Sequence, residues 1–103
     1  MARFTAVTAI RFSADSVRVV RIRWGLADTA VNSWVAPIEE ADVIEAVDAL
    51  RRGDRVLTIF EVDGQTVPGP SLRVVADHLG RESIETDPGN PVDTRGVADL
   101  PTF

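Results

Sequence analysis

The amino-acid sequence predicts an α+β fold: a mainly antiparallel sheet with elements in the order ββαβββ, one amphipathic helix packed on one face, and an irregular C-terminal tail. Three observations carry this expectation. Apolar residues alternate at period two near the N-terminus, switch to period 3.6 after Glu39, and return afterwards to β-rich runs separated by turn formers. With 103 residues, 45% of them hydrophobic, the chain suits one core. We read residues 1–103 as a single domain, with a folded core over 1–86 and a Pro/Gly-rich tail, 87–103, packed on it.

The first element is "FTAVTAIRF", in which Phe4, Ala6, Thr8, Ile10 and Phe12 share one side of a strand and Thr5 and Arg11 the other. A four-residue polar connection, "SADS", leads into "VRVVRIRWG", so the first two strands read as a β-hairpin. In the second strand Val20, Ile22 and Trp24 alternate with Arg21 and Arg23, but Val17 and Val19 are out of phase with them. A β-bulge at Val19 and Val20 would turn Val17, Val19, Val20, Ile22 and Trp24 toward the core and every arginine toward water.

Residues 25–37, "GLADTAVNSWVAP", show no clean period and exceed an ordinary connection; either "SWVA" is a short extra strand or the loop is functional. Beyond it, Val43, Ile44, Val47 and Leu50 form one helical stripe, with Glu40, Glu45, Asp48 and Arg52 away from it. Asp42 with Glu45 three residues on resembles a capping box, Arg51 and Arg52 suit a helix C-terminus, and Gly53 suits the position after it. "RVLTIFEV" reads as a central strand, Asp63-Gly64 as a tight turn, and "SLRVVAD" and "RESIET" as two further strands. Pro68 and Pro70 are expected to confine regular pairing to positions after them. In the tail, Val92, Val97, Leu100 and Phe103 are candidates to pin the chain across the core.

Composition excludes several chemistries. Cysteine is absent, which removes disulfides, thiolate metal sites and cysteine nucleophiles. All eleven basic residues are arginine, so no lysine exists for a Schiff base, and we expect no cofactor. The net charge of −5 is divided unevenly: residues 1–37 carry five arginines against Asp15 and Asp28, while residues 38–103 carry six arginines against fourteen acids. Such a molecule repels nucleic acid at long range except where a local basic patch prevails. No signal peptide and no apolar run long enough for a membrane span is evident, so a soluble cytoplasmic protein with no membrane partner is the expectation.

The sequence contains no phosphate loop, no G-x-S-x-G, no dinucleotide fingerprint and no H-E-x-x-H. "DPGNPVD" lacks the frame of a calcium loop, and no metal site is expected. The carboxylate pairs Glu39/Glu40, Glu82/Glu85 and Asp87/Asp93 are better read as helix-end or exposed strand acids than as acid/base pairs. No catalytic residue is assigned. His78, the single histidine, stands beside Asp77 in "DHLG"; a polar turn residue is the stronger reading, and a general base needs a nucleophile that the motif does not supply. Arg18, Arg21 and Arg23 are candidate phosphate contacts, and Trp34 is either a core plug or a contact anchor.

With these elements placed, the chain resembles a family of small bacterial proteins, domain-of-unknown-function family 3892. The resemblance is carried by "TAIRF", "VVRIRW", "DVIEAVDALRRGDRVLTIF", "GRESIET" and "DLPTF". These are fold-bearing patterns, and the resemblance implies no active site. The functional expectation is therefore a small non-catalytic protein-interaction module, self-associating or engaging another protein through a sheet face or edge. The alternatives are a nucleic-acid-binding module using Arg18, Arg21 and Arg23, and a small enzyme using His78 with a carboxylate.

Overall fold

Strand β1 (Arg3–Phe12) lies inside the sheet, flanked on one side by β2 (Val19–Asp28) and on the other by β5 (Val56–Val62). The remaining elements are β3 (Ser33–Trp34), β4 (Glu39–Asp42), helix α1 (Val43–Arg51), β6 (Gln65–Ala76), β7 (Glu82–Thr86) and a 3-10 turn at Val97–Asp99. The computed structural model describes residues 3–14, 18–28, 33–76, 79–87 and 96–103. Strand order is β3-β2-β1-β5-β6-β7, with β4 also paired to β2. Among the described residues every strand-to-strand pairing is antiparallel except β1 with β5, so the α+β class stands. The order of elements does not: four strands, not two, precede the helix. "SW" of the long 25–37 segment is one of them, and Glu39–Asp42, expected to begin the helical pattern, is the other.

The hairpin of β1 and β2 contains two register shifts. One falls opposite Phe12 and Arg11, where Val20 is the extra residue, at the position where the sequence pattern slips. It lets Val19 and Ile22 both enter the core, while Val20 and Trp24 are half-buried. The other lies at Thr8 and corrects the expected single face of β1. The Thr8 hydroxyl donates to the Arg23 carbonyl at 3.3 Å, and the shift allows Val7 and Ile10, an odd and an even position, to share one core.

Helix α1 starts where its cap predicts: the Asp42 carboxylate accepts the Ile44 N–H at 3.0 Å. Its buried face is Val43, Ala46, Val47 and Ala49, with Leu50 packed at the margin. Ile44, expected on the inner stripe, is instead exposed, because the first turn is oriented by Val43. The small side chains of Ala46 and Ala49 let the helix lie close to the strands it covers.

Residues 65–76 correct the expectation for Pro68 and Pro70, since β6 runs through both. Asp63 and Gly64 have φ of +52° and +79°, the signature of a two-residue type I′ turn between Val62 and Gln65. Hydrogen-bonded and non-hydrogen-bonded pairs alternate from that turn, so Pro68, opposite Ile59, occupies a non-hydrogen-bonded position where its missing N–H costs nothing. A register shift follows between that pair and Leu57–Ser71. Within it the Thr58 hydroxyl donates to the Pro70 carbonyl at 2.9 Å, and a Cβ on Gly69 would lie 2.4 Å from the Thr58 hydroxyl and 2.6 Å from the Phe60 ring. Only glycine fits there. The first half of β6 thus pairs with β5 and the second half with β7.

The sheet curls until β7 meets the start of β2. The buried Ser83 hydroxyl donates to the Val19 carbonyl at 2.9 Å, and an ion pair between Arg51 and Glu82 ties the helix to the same strand. The tail closes this end. Leu100 is buried; Ile10 donates to the Pro101 carbonyl at 2.9 Å and accepts from the Phe103 N–H at 3.1 Å. The tail thereby takes up β1 beyond the point where β5 leaves it, after Val7. Val97 packs against the core as expected, whereas Val92, like Val17, lies outside the described residues.

Candidate functional site

The three candidate arginines, Arg18 just ahead of β2 and Arg21 and Arg23 within it, go to different places. Arg21 donates from Nε to a Glu40 carboxylate oxygen on β4 at 2.7 Å. Arg23 places its guanidinium 4.2 Å from the centroid of the Phe103 ring. Arg11 lies 4.7 Å from the same ring and donates to the Phe103 backbone oxygen at 2.9 Å. A phosphate at Arg21 or Arg23 would compete with these partners. Each interaction is worth about 1 kcal/mol or less at such exposure.

Arg18 corrects the expectation that every arginine faces water. Its Nη1 points to the Glu82 carbonyl at a long 3.5 Å, and its Nε is buried with no acceptor among the described residues. A buried donor left unmet costs about 1–3 kcal/mol, more when charged. Arg18 also lines a cleft of about 270 Å³ whose walls include Phe12, Val19, Ile84, Val97 and Ala98. The cause is long-range: β7 and the tail arrive beside the first residues of β2 and enclose what a lone hairpin would leave in solvent.

At the other end of β2, Trp34 is half-buried and pairs in register with Ala27. Its ring lies over Gly25, where a Cβ would come within 3.2 Å of two ring carbons and 3.5 Å of the Ile38 Cα. Val35 donates to the Leu26 carbonyl at 2.8 Å. Trp34, Val35 and Ile38 are therefore gathered over Gly25 and Leu26, and Val35 and Ile38 are each 43% exposed. A second cleft, of about 260 Å³, runs beside this cluster, lined by Trp24, Ala36 and Pro37 together with Arg52 and Asp54, which are ion-paired at 3.1 Å. Of the β4 acids, Glu39 lines the cleft, while Glu40 holds Arg21.

Arg18 and Gly25 are seven positions apart along extended chain, so these two regions stand roughly 20 Å apart. The structure does not bring Trp34 and the arginines onto one concave surface. His78 and its neighbour Asp77 lie outside the described residues. Among the described residues no group of His, Asp and Glu is arranged to hold a metal, and no helix is long and apolar enough to cross a membrane. Sequence reasoning singled out Trp34 but missed Val35 and Ile38; the available signal was an apolar run, "WVAPI", with no period to place it in a core.

No family model matches the chain, and no curated protein or solved structure is similar to it.

Proposed function

We propose that the protein is a non-catalytic interaction module that takes a partner polypeptide along the sheet edge formed by β3 and β4. The observation that carries this reading is the exposure of Val35 and Ile38 beside the half-buried Trp34 at an edge strand. Among the described residues β4 pairs only with β2, so its outer backbone groups are available to an added strand. Such an addition supplies hydrogen bonds from the main chain, and the exposed apolar side chains supply area.

Charge selects the partner. Glu39, Glu40 and Asp42 lie on or next to the edge, and the whole molecule has a net charge of −5. A second copy would set acid against acid, whereas a segment with basic and branched apolar side chains would complement the surface.

Selection from a random-peptide display library, counter-screened against Ile38→Asp, tests the reading. Peptides enriched in Lys or Arg and in branched apolar residues, whose affinity falls about tenfold or more in the variant, are expected. Recovery of no binders, or of binders indifferent to Ile38→Asp, would overturn it.

A further inference from the structure

We propose that the cleft headed by Arg18 is a binding site for a small organic carboxylate with an apolar body. The donor comes first. Arg18 is held by its Nη1 contact to the Glu82 carbonyl, and its buried Nε has no acceptor among the described residues. Nε and Nη2 form the side edge of a guanidinium, the edge that takes both oxygens of a carboxylate in parallel. The nearby Ser83 hydroxyl does not compete for that ligand, because it donates to the Val19 carbonyl.

The walls define the rest of the ligand. Phe12, Val19, Ile84 and Val97 are apolar, so the part of the molecule beyond the carboxylate is apolar as well. At about 270 Å³ the cleft falls just below the usual range for drug-sized ligands, which points to a compact acid. Charge decides between anions. One guanidinium shares the cleft lining with Glu85, in a molecule of net charge −5, and this balance suits a monoanion and disfavours a phosphate dianion. The site lies at Arg18 and Val19, ahead of the Arg21–Trp24 stretch that pairs with β4, and shares no lining residue with the β3–β4 edge, so it stands or falls independently of the peptide-binding reading.

The test is a titration of the full chain followed by NMR at constant ionic strength, reading the Arg18 Nε–H resonance. The probes are benzoate, its neutral analogue benzyl alcohol, and inorganic phosphate. Benzoate is expected to shift the resonance saturably, with benzyl alcohol and phosphate each about tenfold weaker or more. Arg18→Gln, followed by the backbone amide resonances of Ser83 and Ile84, should weaken benzoate by about tenfold or more. Ala98→Phe, at an exposed position lining the cleft, should block it without touching the core. The inference is overturned if benzoate leaves the Nε–H resonance in place, if benzyl alcohol or phosphate matches benzoate, or if Ala98→Phe binds benzoate as the unaltered chain does.

Discussion

The two ends of β2 show what long-range contacts do to one strand. At its start, Val19 is buried, Ser83 of β7 bonds to its carbonyl, and the tail crosses nearby to reach Ile10. Further along, the side of β2 away from β1 pairs, among the described residues, with the four-residue β4 at Arg21–Trp24 and the two-residue β3 at Ala27–Asp28, and apolar side chains beside them stay in solvent. The strand's own composition does not account for the contrast, since both ends mix a charged residue with apolar ones. Enclosure is decided by segments more than sixty residues away at one end and by segments close in sequence at the other. The first end encloses the Nε of a half-buried cation, Arg18; the other leaves an edge.

This contrast can be broken by mutation. The largest effect is expected from Leu100→Ala, which opens a cavity where the tail meets the core: a loss of about 2–5 kcal/mol, read as a lower urea midpoint. A loss under about 1 kcal/mol would mean that the tail is not part of the cooperative core. Ser83→Ala comes next. It strips the Val19 carbonyl of its buried donor and should cost about 1–2 kcal/mol; a neutral result would show that β7 is held at β2 by packing alone. The smallest effect should come from Ile38→Asp at the open end, within about 0.5 kcal/mol of the unaltered chain by the same measurement. A larger destabilisation would place Ile38 in the fold rather than on a free edge.

What was legible in the sequence follows the range of the interaction responsible. The Asp42 cap is a contact two residues long, and the Val20 bulge is a slip of phase inside one strand, so both can be read from neighbouring letters. The bulge at Thr8 was hidden because threonine fits either face. Short strands such as Glu39–Asp42 have no period of their own and exist only because β2 offers them a ladder. Pro68 is compatible with a strand only once the register from the Asp63-Gly64 turn is known. The same holds for the sites: Trp34 could be singled out as a residue type, but the exposure of Val35 and Ile38 depends on which elements fail to cover them. The enclosure of Arg18 depends on the return of β7.

The Pro68-Gly69-Pro70 segment acts as a phase inverter. Ahead of it, Val67 stands opposite core residue Phe60; behind it, the inward positions are the even-numbered Leu72 and Val74. Removing a single residue from this triplet would leave the letters of the last strand pair unchanged and yet reverse their sides, offering Arg73 to the interior and Leu72 to water. The identity of the residues at that bend matters less to the second half of the sheet than their number.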